Sequence, residues 1–129
     1  MLVEGLKGQQ EIVVTEEVSA QQVGSGTLPV FATPAMISLM ENTAYKSVAE
    51  YLEEGYGTVG TLMNVSHVAA TPVGMKVTCE TELIKVDGRA LTFCVKAYDE
   101  CGLIGDGMHE RFVIMEEKFL AKTNSKLEK

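Results

Sequence analysis

FATPAMISLMENTAYKSVAEYL, residues 31–52, is the stretch on which the reading of this chain turns. It predicts the one long helix of the protein. Thr33 suits the N-cap and Pro34 the first helical position, where a missing N–H costs nothing; Gly55 suits the C-cap. At about 100° per residue, Ile37, Met40, Ala44, Val48, Tyr51 and Leu52 gather on one side, while Asn42, Lys46, Glu50 and Glu53 gather on another. Glu41 breaks that order, projecting between Ala44, Val48 and Leu52 on the side expected to face the core. A carboxylate placed there is costly unless it is paired or has a chemical task. Glu41 is therefore the first candidate functional residue.

The flanking segments read as strands. Glu11–Val18 is a short β-rich segment, and residues 19–29 form a polar connection that could lie over a site as a lid. After Gly55-Tyr56-Gly57, residues 58–70 alternate so that Val59, Thr61, Met63, Val65, His67 and Ala69 share one face. Thr71–Gly74 is a Pro-Gly turn, Met75–Val86 a long strand, and Asp87-Gly88 a two-residue hairpin signal. Arg89–Tyr98 returns with Leu91, Phe93, Val95 and Ala97 on one face. Asp99–Gly102 turns again, and Leu103–Met115 is the last strand, with Gly105 and Gly107 marking a bulge or a close approach. The order is strand, long helix, then four strands with short turns that make consecutive strands antiparallel neighbours. Fold class is α+β, a single domain over 1–129, with one antiparallel sheet curling around one helix. A single helix covers only part of such a sheet, so self-association is expected to protect the rest.

Composition narrows the function. The chain has 129 residues, enough for one modest core, and its net charge of −7 disfavours nucleic acid or an anionic membrane as main partner. Lys118, Lys122, Lys126 and Lys129 read as a solvated end. Cys79, Cys94 and Cys101 are an odd set without C-x-x-C spacing, which points to reduced thiols in a cytoplasmic protein. The N-terminal MLVEGLKGQQE lacks the apolar core of a signal peptide, and no run approaches the roughly 18 residues that span a bilayer. With two histidines and no H-x-x-H or cysteine cluster, no metal pattern is present and no cofactor is called for.

His67 stands in the middle of an apolar-alternating strand, and Thr33 at a helix start. With Glu41 they supply groups of the nucleophile, base and orienter kind. Thr33 also has a plain role as a cap, and a helix N-terminus can stabilise a carbonyl oxygen that gains negative charge. His109 lies in Gly107–Arg111, beside the two strand glycines. Thr33 and Glu41 are eight residues apart, about 12 Å along a helix, too far to meet easily at one reacting atom. Two antiparallel helices in a two-fold dimer could bring Glu41 of one subunit toward Thr33 of the other.

Several segments together resemble the fluoroacetyl-CoA thioesterase-like family of hotdog-fold proteins. They are VFAT (30–33), LME (39–41), YLEEGYGTVGT (51–61), VSHVAATPVG (65–74), VDGR (86–89) and IGDGMHERFVI (104–114), and the likeness runs over residues 30–121. The resemblance implies a homodimer, each long helix wrapped by a curved sheet, and hydrolysis of an acyl-CoA thioester. It implies that Thr33, Glu41 and His67 form the catalytic set. It further implies substrate contact through the Gly60 backbone, with Arg111 near the acyl site. The chain departs from the fluoroacetate-specific pattern at Gly24–Pro29, which lacks the aromatic residues of that lid, so a general short-chain acyl-CoA is the expected substrate. Two other readings stay open: a hotdog dehydratase or hydratase acting on an acyl thioester, and an acyl-CoA-binding module with little turnover.

Overall fold

The chain is described from a computed structural model covering residues 2–128; Lys129, the last of the C-terminal lysines, lies outside the described residues. In chain order the elements are β1 (Lys7–Val13), α1 (Ala20–Val23), α2 (Thr33–Ala49), β2 (Tyr56–His67), β3 (Lys76–Asp87), β4 (Ala90–Asp99), β5 (Gly102–Met115) and α3 (Glu116–Asn124). The expected long helix is α2. Its buried stripe is Met36, Met40, Ala44 and Val48, with Leu39 and Thr43 beside it. This stripe lies on the inner face of the sheet, against Val77, Cys79 and Leu83 of β3 and Leu91, Phe93, Val95 and Ala97 of β4. Burying each large apolar side chain stabilises the fold by roughly 1.5–3 kcal/mol, which ties the helix to the sheet.

Details of the helix differ from expectation. The N-cap is Ala32, without a side-chain cap, and Thr33 is the first helical residue. Thr33 does not hold the N-cap position because its backbone is already helical, and its hydroxyl bonds His67. The helix stops at Ala49, and Gly55 (φ 88°) sits in the following turn, where its carbonyl accepts from the Glu116 N–H. The buried stripe is centred on Met36, Met40 and Ala44, so the row Ile37, Glu41, Tyr45 lies about 100° to one side. Glu41 is therefore not in the core: its side chain is 45% exposed, on the flank of α2. Tyr51, assigned to the apolar side, is exposed for the same reason of position, beyond the helix end.

The sheet has five antiparallel strands in the order β1-β3-β4-β5-β2. The meander β3-β4-β5 is as expected, and Leu91, Phe93, Val95 and Ala97 share the buried face. β2 pairs with β5 and not with β3. The connection after His67 is held away from β2: Val30 bridges Pro72, the Phe31 N–H reaches the Thr71 carbonyl at 2.9 Å, and Thr71 Oγ1 donates to Asp99 Oδ2 at 2.8 Å. That path carries the chain past the start of α2 to the far side of the sheet. β1 begins earlier than expected, and Gly8 lets α2 approach closely: a Cβ there would stand 2.8 Å from Ser47 Cβ and 3.1 Å from the Thr43 carbonyl. The hairpin turns at Gly88-Arg89, with Asp87 paired to Ala90. Gly88 takes φ 62°, which glycine adopts without strain.

A bulge in β2 changes which residues face inward. Gly60 pairs with Arg111 and Leu62 with Glu110, leaving Thr61 as the extra residue. Thr58 and Gly60 thereby join Met63, Val65 and His67 on the inner side. Val59 pairs with exposed Phe112 and departs from the single face that strict alternation predicted. Among the described residues no helix is long and apolar enough to cross a membrane.

Gly105 and Gly107 mark close approaches on β5. A Cβ on Gly105 would meet Met36 Sδ at 2.6 Å, a flexible tail, whereas one on Gly107 would run into the Asn64 carbonyl and Val65 backbone. Gly107→Ala should therefore destabilise by about 2–3 kcal/mol and Gly105→Ala by clearly less, as read from urea unfolding. Equal losses would refute the distinction.

Candidate active site

The sequence candidates fall into two clusters along β2. At its end, His67 comes beside the first turn of α2, because β2 runs along the helix and finishes at its N-terminal end. Thr33 Oγ1 and His67 Nδ1 are hydrogen bonded at 2.7 Å. The imidazole stands edge-on to Phe31, ring centroids 6.5 Å apart. Nε2 is shielded from solvent and has no hydrogen-bond partner among the described residues. Burial holds the His67 pKa below its ordinary 6.5, opposed in part by the Ala69 backbone. A cleft of about 340 Å³ opens here, lined by Thr33, His67, Phe31, Ala69, Ala20 and Ser25. The last two come from the 19–29 connection. That segment is not a plain loop: Ser19 Oγ caps α1 by accepting from the Gln22 N–H, and Gly24 (φ 89°) ends it.

The second cluster gathers around Arg111. Its side chain is only 8% exposed, and it donates from Nε to Thr58 Oγ1 at 2.8 Å and from Nη2 to the Thr58 carbonyl at 3.0 Å. Nη1 lies 3.2 Å from His109 Nε2 and 3.7 Å from Glu41 Oε2. The guanidinium carbon sits 5.9 Å from the centre of the Tyr45 ring. Gly60 closes the group: a Cβ there would meet Glu41 Oε2 at 2.7 Å and both Arg111 Nη1 and His109 Cε1 at 3.4 Å. Only glycine leaves that space free, so Gly60 keeps a small polar niche between a carboxylate and a guanidinium.

Glu41, Gly60 and Arg111 thus meet one another, and Thr33 meets His67. Glu41 does not pair with His67 in the same chain. Gly60 and His67 are seven positions apart on one strand, about 20 Å. Sequence reasoning gave no role to His109, Thr58 or Tyr45. His109 and Arg111 are two apart on one strand, so alternation alone places both inward, a signal that was there to use. A larger hollow of about 550 Å³, lined by Lys7, Glu80, Glu82 and Lys96 among others, lies away from both clusters on the exposed side of β1, β3 and β4.

Comparison with known proteins bears on this arrangement. Residues 14–117 match the family model described as Fluoroacetyl-CoA-specific thioesterase. The chain belongs to this family. Over 97 residues it is 50% identical to the fluoroacetyl-CoA thioesterase of Streptantibioticus cattleyicolor, covering 75% of this chain and 70% of that one. A solved fluoroacetyl-CoA thioesterase superposes with a TM-score of 0.93 at 39% identity, covering 98% of each chain. A variant of that thioesterase, solved in complex with fluoroacetate and CoA, gives 0.87 at 39% identity over 92% of this chain and 99% of the other. The fold is the hotdog fold of the thioesterase superfamily, as the sequence resemblance implied.

Both histidines lie under the same constraint. Burial is the main cause that lowers His109 as well, with the Arg111 charge adding to it against the Leu62 carbonyl and Glu41. A histidine whose folded pKa is lowered binds fewer protons than the unfolded chain, so stability falls as pH drops below the unfolded value near 6.5. Imidazole NMR titration should give both midpoints below 6.5, with unfolding free energy declining toward acid through that window. A midpoint above it for either residue would contradict the burial account.

Proposed function

We propose that the chain is an acyl-CoA thioesterase acting on short-chain acyl-CoA, working as a homodimer whose active sites span the subunit interface. The observation that carries this reading is the 2.7 Å bond between Thr33 Oγ1 and His67 Nδ1 in an open cleft at a helix N-terminus. A hydroxyl bonded directly to a half-buried imidazole is a nucleophile with its base in place. In the neutral imidazole with its proton on Nε2, the Nδ1 lone pair faces the Thr33 hydroxyl proton. Thr33 Oγ attacks the thioester carbonyl as its proton passes to Nδ1. The first turn of α2 faces the oxygen that becomes negative. The C–S bond then breaks, CoA thiolate leaves and takes up a proton, and water hydrolyses the acyl-threonine with His67 as base.

Glu41, Gly60 and Arg111 enter from the partner subunit in this reading. β2 is a 12-residue strand at the sheet edge, with one side of its ladder unpaired in the single chain. If two copies pair antiparallel along that edge about a two-fold axis between Met63 and Asn64, Gly60 of each falls opposite His67 of the other. The roughly 20 Å gap within one chain is then closed between chains. Glu41 of the partner subunit would guide the water, and Arg111 with the Gly60 backbone would hold the acyl group. The related thioesterase structure containing fluoroacetate and CoA supports an acyl-CoA as the ligand class. Ser25 and Ala20 line this chain's cleft without aromatic bulk, which favours short acyl groups in general over fluoroacetyl in particular.

A panel of acyl-CoAs assayed by thiol release tests the activity; His67→Ala should lower kcat/KM by about 10²–10⁴, the range for a lost general base. The rate should rise with pH to a plateau, with its acid limb below the ordinary histidine value of 6.5. Binding without release would mark a binding module instead. Mixing Thr33→Ala with Glu41→Ala protein should restore part of the activity through heterodimers carrying one intact site. No recovery would refute the shared site, and mass spectrometry should find the acyl group on Thr33.

A further inference from the structure

His109 is the largest polar side chain among the described residues that is fully buried: it is 1% exposed and has no part in the chemistry assigned above. Its ring is stacked on Phe93, centroids 6.0 Å apart and planes 29° from parallel. Nδ1 lies 2.9 Å from the Leu62 carbonyl, directly after the β2 bulge. A carbonyl can only accept, so Nδ1 carries the proton. Nε2 is left as a bare lone pair, and it faces Arg111 Nη1 at 3.2 Å. An arginine has five N–H donors. Thr58 takes two of them and His109 one, so two remain, one of them on Nη1. That nitrogen borders the niche between Glu41 and Gly60.

We propose that His109 is a positioning residue: it fixes Arg111 as a hydrogen-bond acceptor, so that the free Nη1–H points into the Gly60 niche. The bulge is part of the device, since it brings the Leu62 carbonyl within reach of Nδ1 and thereby selects the tautomer. A proton on Nε2 would set N–H against N–H and release the guanidinium. The kinetic part of this inference rests on the thioesterase reading; the tautomer and the state of Arg111 do not.

Two variants separate position from bulk. His109→Phe keeps a ring against Phe93 without an acceptor, and His109→Gln offers an amide oxygen near the place of Nε2. His109→Phe should lower kcat/KM about tenfold, the scale of one hydrogen bond to a charged group, and His109→Gln should recover most of it. In an Arg111→Ala background His109→Phe should cost nothing further; an undiminished tenfold loss there would overturn the proposal. Independently of activity, ¹⁵N NMR should show the proton on His109 Nδ1. Arg111 N–H exchange should quicken in the Phe variant and slow again in the Gln variant. A wild-type imidazole protonated on Nε2 would overturn the inference even if neither variant folds, as would unchanged Arg111 exchange in folded His109→Phe. A wild type that hydrolyses no acyl-CoA would sink the thioesterase reading and leave these NMR outcomes to decide this one.

Discussion

Helix α2 has one apolar stripe, and the sheet has one apolar face to receive it. The packing of Met36, Met40, Ala44 and Val48 against β3 and β4 sets the rotation of the helix about its axis. Once that rotation is set, the neighbouring row of Ile37, Glu41 and Tyr45 must lie toward the β2 side. Thr33, at the helix start, must lie by the end of β2. Both polar clusters are placed by this one contact, without any attraction between themselves.

The two clusters solve the burial of polar groups differently. Around Arg111 the cation is removed from water but surrounded by acceptors: the Thr58 hydroxyl and carbonyl, the His109 lone pair and, farther off, Glu41. Such a network is stable because three of the guanidinium's five donors have protein acceptors and a carboxylate stands near a fourth. At Thr33 and His67 the balance is left open. One ring nitrogen is bonded, the other is shielded and without a partner, and the hydroxyl stands at the cleft. The closed network suits a fixed charge, and the open pair suits a group that must exchange a proton.

Much of this was legible in the sequence. The amphipathic run at 31–52 announced the helix, the turns at Asp87-Gly88 and Asp99–Gly102 announced the β3-β4-β5 meander, and Thr33, Glu41 and His67 stood out by chemistry. The Pro-Gly turn at 71–74, by contrast, suggested a β2–β3 pairing that does not form. Glu41 was singled out on a premise the fold does not bear out, for it flanks the core and does not enter it. The error was one of rotation: Tyr51 and Leu52, counted as core, pulled the apparent apolar face away from Met36 and Leu39. The close approach read from Gly105 and Gly107 is present, to Met36 and to the backbone of β2. His109 beside them was given no role because its partners Leu62, Phe93 and Arg111 come together only in the fold.

What the chain fixes on its own is local: periodicity, turn chemistry and the identity of groups able to act as nucleophile, base and orienter. These depend on neighbours within a few residues and survive in any context. Tertiary structure alone decided that β2 joins β5, that Thr61 bulges, and that Glu41 meets Arg111 while His67 meets Thr33. Each of these depends on residues dozens of positions apart sharing one volume, and no local preference specifies which distant partner fills it.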